Sequence, residues 1–455
     1  MDIDSVLRRL NIDDLNLMQQ DVVSAMFRSD DDIVVLSPTG SGKTIAYLLP
    51  LAEIISRDTG TQPLSRPEET GVNDGSPLSA VVIVPGRELA MQSERVLRDM
   101  GCGIRSMALY GGRPAMDEHR MLREVRPRII FATPGRLNDH IDKGNIDVST
   151  VNYLVIDEFD KCLAMGFHDE MVRAVGRMHA VKRRLLASAT DAREIPEFVN
   201  MGRTLRVDYL LDDEQVPDRV TIYKVTSRQK DKLATLDGLL RSFGDDSTIV
   251  FLNYRDSVER VNEYLRAQGF TTSAFHGGME QREREDNLYR FGNGSANILV
   301  STDLASRGLD IPDVRNIVHY HLPQDEDSYI HRTGRTARWD KGGRAFFVLG
   351  PGESLPEYVR TKPADYRAEG LQDAPALPRM VTLYIGKGKK DRISRGDIVG
   401  FLCKTGGIEN KDIGRIDVKE RYAYVAVNRK VARQAILNTQ GTKIKGIKTV
   451  VELVR

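Results

Sequence analysis

A chain of 455 residues, 40% hydrophobic and 29% charged, is too long for a single core and implies two or three globular domains. Three widely spaced cysteines (Cys102, Cys162 and Cys403), with no CxxC pair, exclude a disulfide framework or zinc ribbon and fit a reducing compartment. The net charge of +1 conceals a division: residues 379–455 carry 18 Lys and Arg against 7 Asp and Glu, an excess of 11 that leaves −10 on the rest, so a basic module sits on an acidic body and a polyanion is the expected partner.

No apolar run approaches the length of a membrane span, and Met1-Asp2-Ile3-Asp4 lacks the basic-then-apolar layout of a secretion signal. A cytoplasmic chain without a membrane partner is expected. Residues 1–35 read as a helical lead-in, with Val6, Leu7 and Leu10 on one face and Val22, Val23, Ala25 and Met26 on a second segment. Ile33-Val34-Val35-Leu36 is then a short buried strand. It leads into Ser37-Pro38-Thr39-Gly40-Ser41-Gly42-Lys43-Thr44, and Ile45-Ala46-Tyr47-Leu48-Leu49 can open a helix.

Strand, glycine-rich loop and helix is the context that a phosphate-binding loop requires. Thr39, Gly40, Ser41 and Gly42 let backbone N–H groups curl around an anion, and the helix N-terminus adds a favourable dipole. Lys43 is expected to reach the β- and γ-phosphates of ATP, and the Thr44 hydroxyl to hold Mg²⁺. Ser37 stands where the general pattern has glycine.

Residues 56–79 read as a long exposed loop rich in Thr, Gly, Pro, Ser and Glu. Strand candidates follow at 80–84, 106–109, 129–132, 153–156 and 185–187, alternating with helical spacing such as 88–99 and 169–178, the signature of a parallel α/β sheet. After 205 the alternation restarts, with strands expected at 222–225, 248–252, 272–275, 298–301, 316–319 and 344–348 and helices including 257–268 and 281–291. Five prolines in 351–378, with few apolar residues, suggest a linker or a partly ordered extension. From 379 the order is β-α-β-β-α-β: strand 380–385, helix 394–404, strands 413–418 and 422–427, helix 430–438, strand 448–454. That is the plan of RNA-recognition domains. The expected domains are thus 1–205, 206–350, a linker at 351–378, and 379–455.

The strand Leu154-Val155-Ile156 runs into Asp157-Glu158-Phe159-Asp160. An apolar strand ending in two carboxylates is the second half of a P-loop ATPase site: Asp157 would hold Mg²⁺ and Glu158 would orient the attacking water. Ser188-Ala189-Thr190 ends another apolar strand, where small hydroxyls can bond the acidic motif and report its state.

The series resembles the DEAD-box ATP-dependent RNA helicases. Val84-Pro85-Gly86-Arg87-Glu88-Leu89-Ala90, Tyr110-Gly111-Gly112, Thr133-Pro134-Gly135-Arg136 and Ser188-Ala189-Thr190 match that family in order. Gln281 with Arg284, the stretch from Ser301-Thr302-Asp303 through Ala305-Ser306-Arg307-Gly308-Leu309-Asp310, and His331-Arg332-Thr333-Gly334-Arg335-Thr336-Ala337-Arg338 continue the match. The resemblance implies two RecA-like parallel-sheet domains and RNA-stimulated ATP hydrolysis that locally unwinds RNA. It makes Arg335 and Arg338 arginine fingers that meet ATP when the two domains close, places Asp310 near the ribose, and couples hydrolysis to RNA through Ser188 and Thr190. The RNA path would use Arg87, Gly111, Gly112, Thr133, Gly135, Arg136, Gly278 and Thr302.

Departures from the family are Gly86 for Thr, Thr333 and Ala337. Gln19 aligns best with the adenine-reading glutamine, with Gln20 as the alternative, and no aromatic partner is evident near residues 1–4. The last 77 residues, including Met380-Val381-Thr382-Leu383-Tyr384-Ile385 and Asp412-Ile413-Gly414-Arg415-Ile416-Asp417, resemble the RNA-binding module of DbpA-type enzymes. With Val381, Leu383 and Ile385 facing a core, strand alternation puts Tyr384, Tyr422 and Tyr424 on the open face, where they can stack bases; the basic loops 387–392 and 443–448 are the alternative RNA surface. The partners implied are structured ribosomal RNA and a ribosomal particle in large-subunit assembly, with mRNA turnover as the alternative, and the chain acting as a monomer. An RNA clamp with little unwinding and a DNA translocase are the competing functions.

Overall fold

The computed structural model describes residues 3–38, 40–58, 77–112, 115–191, 195–210, 220–303, 314–336, 342–368 and 373–454. They form two compact units, the first with one parallel sheet, the second with a parallel and an antiparallel sheet.

In the first unit, α1 (Ile3–Leu10) and α2 (Leu17–Arg28) precede β1 (Asp32–Leu36) and α3 (Lys43–Asp58). The chain continues through β2 (Ala80–Ile83), α4 (Arg87–Asp99), β3 (Ser106–Leu109), α5 (Ala115–Val125), β4 (Ile129–Ala132), α6 (Pro134–Asp142), β5 (Tyr153–Asp157), α7 (Phe159–Ala164), α8 (His168–Val175), β6 (Arg183–Ser188) and β7 (Thr204–Asp208). The strand order is β3-β4-β2-β5-β6-β1-β7, all parallel.

An apolar run such as β1 is stable here because helices cover both faces of the sheet. Ile33 and Val35 join Tyr47 and Leu51 in one core, while Val34 and Leu36 join Leu154 and Ile156 in the other. β7 escaped the sequence reading for the converse reason. It is an edge strand carrying Thr204, Arg206 and Asp208, with only Val207 buried. The loop expected at 56–79 lies mostly outside the described residues, and α3 extends into its first three positions.

The second unit begins with β8 (Val220–Thr226), α9 (Leu233–Ser242), β9 (Thr248–Leu252), α10 (Arg255–Ala267), β10 (Thr272–Phe275), α11 (Gln281–Gly292), β11 (Ile298–Thr302), β12 (Asn316–His319), α12 (Glu326–Thr333), β13 (Gly343–Leu349) and β14 (Ala364–Asp365). These strands form a second parallel sheet in the order β10-β11-β9-β12-β13-β8-β14. The proline-rich stretch adheres to this sheet. Its β14 pairs with β8, Leu355 and Tyr358 pack on Ile222, Tyr329 and Phe347, and the Tyr366 ring meets Tyr223 and Phe346. Apolar side chains spaced between the prolines supply that adhesion.

The C-terminal part comprises β15 (Met380–Ile385), α13 (Arg395–Lys404), β16 (Ile413–Val418), β17 (Ala423–Asn428), α14 (Arg429–Thr439), the hairpin β18 (Lys443–Ile444) and β19 (Ile447–Lys448), and β20 (Val451–Leu453). Its antiparallel sheet has the order β16-β17-β15-β20. Val381, Leu383, Val425 and Val427 face Ile398, Leu402 and Ala435 of the two helices. The single strand expected at 448–454 is divided: Lys448 belongs to the hairpin, pairing with Lys443 across a turn in which Lys445 and Gly446 take positive φ (52° and 79°), and only Val451–Leu453 joins the antiparallel sheet as β20.

Candidate functional site

In an open parallel sheet, ligands bind beyond the carboxyl ends of the strands. In the first unit β1, β6 and β5 are neighbours, with Leu36 level with Ser188 and Asp157 level with Ala187. The phosphate-loop motif, the acidic pair and the Ser-Ala-Thr motif therefore emerge side by side from one sheet edge.

Gly40 and Gly42 hold φ of 85° and 87°, in the left-handed region that glycine enters without strain. A Cβ on Gly42 would lie 2.2 Å from Gln19 Nε2. That closeness comes from the start of α2, where Asn16 and Gln19 form a capping box. Gln19 N donates to Asn16 Oδ1 and Asn16 N to Gln19 Oε1, each at 2.9 Å. Asn16 Nδ2 then donates to Ser41 O (2.9 Å) and Gln19 Nε2 to Gly42 O (3.2 Å). Of the two candidate glutamines, Gln19 is the one buried against the loop; Gln20 is exposed and donates to Leu15 O.

Lys43 is buried, with Nζ donating to Ser37 O and, at 3.0 Å, to Pro38 O. Burial lowers its pKa to about 8 against the pull of Asp157 and Glu158. Asp157, the last residue of β5, has its pKa pushed up to about 6 by burial and by the Glu158 charge, with Lys43 opposing. Its Oδ2 accepts from Tyr47 OH at 2.9 Å and lies 3.5 Å from Thr44 Oγ1, while its Oδ1 accepts from Glu158 N at 2.9 Å. A buried ammonium and a buried carboxylate, each pushed toward its neutral form by burial, are the perturbed pair expected of a functional site.

These residues fit a magnesium nucleotide. Among the described residues no three His, Cys, Asp or Glu side chains cluster as a metal cage. One carboxylate beside one hydroxyl suits Mg²⁺, which keeps waters and substrate phosphates as its other ligands.

Glu158 takes the left-handed conformation (φ 51°, ψ 49°) that turns β5 sharply into α7, and its Oε1 meets Lys161 Nζ at 2.8 Å. Thr190 Oγ1 donates to Asp160 Oδ2 at 3.0 Å, and Ser188 Oγ and Thr190 bond each other. The Ser-Ala-Thr motif is thus tied to the acidic motif.

Along the same sheet edge, Arg87 opens α4 beside Gly111 and Gly112 holds φ of 96°. Thr133 caps α6, and its N donates to Leu109 O at 3.1 Å. Arg136 is drawn inward, its Nε donating to Glu118 Oε2 at 2.7 Å.

In the second unit, Gly278 lies in an exposed turn after β10, its N–H on His276 Nδ1. Thr302 is buried at the end of β11. The next residue, Asp303, is gripped by Arg332 through both carboxylate oxygens (2.5 and 2.6 Å), and Arg332 also donates to His321 O and Asn253 Oδ1. Arg335 is 2% exposed just past α12. Thr39, Asp310 and Arg338 lie outside the described residues.

The C-terminal tyrosines require a correction. Tyr424 is only 6% exposed, because α11 of the second parallel sheet covers its face of the antiparallel sheet. Tyr289 packs tilted against Tyr424 with centroids 5.4 Å apart, and its OH donates to the carbonyls of Arg415 (2.9 Å) and Tyr424 (3.0 Å). Asn293 Nδ2 donates to Thr382 Oγ1, which bonds Ser295. Tyr424 also bonds Asp286, and burial with that charge raises its pKa. Tyr384 and Tyr422 stay half-buried at the margin, their rings tilted against each other, with Tyr384 meeting Tyr424 edge-on and Tyr422 tilted against it. The alternation placed all three rings on one face correctly. What covers that face is a distant helix with no local signature.

Tyr47, Glu118, Arg332 and Tyr289 were not singled out from the sequence. Arg332 stood inside a quoted motif without a role. The other three act on partners 8 to 135 positions away and leave no local pattern.

No described helix is long and apolar enough to cross a membrane. Residues 16–198 match the DEAD/DEAH box helicase family, 231–340 the helicase conserved C-terminal domain, and 382–453 the DbpA RNA binding domain. The ATP-dependent RNA helicase DbpA of Escherichia coli K12 is 35% identical over 91% of this chain and 89% of its own length. The protein of the same name from Bacillus subtilis 168 is 28% identical over 98% and 96%. Mss116p bound to single-stranded RNA and AMP-PNP superposes with a TM-score of 0.70 at 25% identity, over 80% of this chain and 77% of that one. The paired parallel sheets, the phosphate loop facing Asp157 and Glu158, and the three family matches in order establish that this chain belongs to the DEAD-box ATP-dependent RNA helicases, RNA-dependent ATPases, in the branch that carries a DbpA RNA binding domain.

Proposed function

We propose that this helicase remodels structured ribosomal RNA during ribosome assembly, working in the cytoplasm as a monomer on a ribosomal particle. The observation that carries this is the pairing of the buried Lys43–Asp157–Glu158 cluster with a C-terminal domain that matches the DbpA RNA binding domain and carries a charge excess of 11.

In this reading Gly40, Ser41, Gly42 and Lys43, with Thr39, bind the phosphates of ATP, Gln19 reads the adenine edge and Asp310 meets the ribose. Thr44 and Asp157 hold Mg²⁺, which neutralises charge on the phosphates when bound. Glu158 orients the attacking water and accepts its proton. Arg335 and Arg338 answer the charge that develops on the transferred phosphoryl group. Arg87, Gly112, Thr133, Arg136, Gly278 and Thr302 hold the RNA backbone, with Ser188 and Thr190 coupling that strand to the acidic motif. Contacts to phosphate and 2′-OH make the core tolerant of sequence, so choice of target falls to the C-terminal domain. With Tyr424 covered, the loops 387–392 and 443–448 are the better RNA surface.

The test is phosphate release by the full chain with ribosomal RNA, an unstructured RNA of equal length, or DNA. Ribosomal RNA should stimulate most strongly, and Glu158→Gln or Arg335→Ala should abolish turnover. Equal stimulation by DNA would instead indicate a translocase. RNA binding without phosphate release would indicate a clamp.

A further inference from the structure

The turns after β3 and β4 converge on one buried carboxylate that none of the motifs contains. Glu118, on α5, has a side chain 1% exposed. Its Oε2 accepts from Arg136 Nε at 2.7 Å and sits 2.9 Å from His140 Nε2. Its Oε1 lies 3.5 Å from the backbone N of Tyr110, the residue that opens the Gly111-Gly112 turn. His140 is itself fully buried, and Asn145 Nδ2 approaches its Nδ1 at 3.0 Å. An amide donating to Nδ1 leaves the proton on Nε2, so a neutral imidazole can donate to Glu118. Arg136 Nη1 also reaches Asp139 at 3.4 Å.

Burial alone would raise the Glu118 pKa, yet hydrogen bonds from His140 and Arg136 hold it below the usual carboxylate range. The two turns already follow neighbouring parallel strands, with Thr133 N bonded to Leu109 O. Glu118 adds a charged clasp between them. Removing it would take from Arg136 Nε and the buried His140 Nε2 the oxygen they share, leaving Arg136 to its weaker contact with Asp139 and loosening the 133–136 turn.

We propose that Glu118 is a positioning residue for RNA: it fixes the 110–112 turn, Arg136 and His140 in one register, so that the two turns present a preformed backbone-binding edge to a single strand. This rests on the reading that 111–112 and 133–136 line the RNA path. Preorganisation of this kind lowers the ordering penalty on binding without touching the bond-breaking step. It therefore belongs in the RNA concentration that half-saturates ATPase stimulation and not in the turnover at saturating RNA.

The experiment titrates RNA against ATP turnover for wild type, Glu118→Ala, Glu118→Gln, Arg136→Ala and the Glu118→Ala/Arg136→Ala double variant. Loss of one charge-assisted anchor should raise half-saturating RNA about tenfold in Glu118→Ala, with turnover at saturating RNA within about twofold of wild type. Glu118→Gln, which keeps an acceptor oxygen for Arg136, should recover about half of that loss on a logarithmic scale. In the Arg136→Ala background the added Glu118→Ala change should shift half-saturation less than about twofold, since both act through one anchor. Equal half-saturation in Glu118→Ala and wild type overturns the proposal, as does full additivity in the double variant or a fall in turnover with half-saturation unmoved. If Glu118→Ala fails to fold, Glu118→Gln decides: unchanged half-saturation overturns the proposal, a rise supports it. Wild-type turnover that ignores RNA would instead sink the RNA-path reading itself, a result visible before any variant is compared.

Discussion

Replacing Lys43 with methionine should abolish ATP turnover and at the same time stabilise the nucleotide-free first unit. The Lys43 ammonium is buried, and its pKa falls from 10.5 to about 8 even with Asp157 and Glu158 attracting it. At about 1.4 kcal/mol per tenfold change, keeping that charge buried without bound phosphates costs about 3 kcal/mol. Methionine fills similar volume without charge but leaves the carbonyls of Ser37 and Pro38 without their donor, a loss of about 1 kcal/mol. A net gain of about 2 kcal/mol remains.

The pH dependence follows from the same numbers. The folded pKa lies below the unfolded one, so the penalty is fully present below pH 8 and is relieved as pH rises from about 8 toward 10.5. The advantage of Lys43→Met should therefore be constant near pH 7 and shrink above pH 8. A chain with two units does not unfold in one step, so the readout is hydrogen exchange in peptides spanning β1 and β5 across a urea series at several pH values. A methionine variant less stable than wild type at pH 7, or a gap that does not change between pH 7 and 10, would refute the reasoning. Magnesium ATP should protect these peptides in wild type and leave the variant unmoved.

Gly42→Ala should weaken nucleotide binding by at least about tenfold, because the new Cβ collides with Gln19 Nε2 at a positive φ; equilibrium binding of a fluorescent ADP measures it. Arg332→Ala should destabilise the second unit by about 3–5 kcal/mol, since it removes the fully buried guanidinium that bonds both Asp303 oxygens, His321 O and Asn253 Oδ1; urea unfolding followed by hydrogen exchange in β9 and β12 peptides checks it. Tyr289→Phe removes two hydrogen bonds to carbonyls of β16 and β17 and should loosen the antiparallel sheet on α11 by about 1–2 kcal/mol, seen as faster exchange over 413–428; unchanged exchange would refute the docking role.

How much of this was legible beforehand depended on distance along the chain. The phosphate loop needs strand, glycines, lysine and hydroxyl in consecutive positions, and the acidic pair needs a strand end, so both were written locally in 33–49 and 154–160. The alternation of apolar runs carried the two parallel sheets for the same reason. β7 was not legible because an edge strand of Thr204, Arg206 and Asp208 buries too little to leave an apolar run. Gln19 and Gln20 were indistinguishable by spacing until the capping box with Asn16 turned one inward and the other out.

The sequence by itself determined which chemistry this protein carries, because each catalytic motif is a short run whose residue types must be adjacent to work. Only the tertiary structure decided which side chains support that chemistry and which surfaces stay open. Tyr47 reaches Asp157 from 110 positions away, Arg332 reaches Asp303 from 29, and Tyr289 covers a sheet whose tyrosines looked free for RNA. Buried hydrogen bonds and ion pairs form between whichever groups the packed sheets bring together, and that proximity is a property of the fold, not of neighbouring letters.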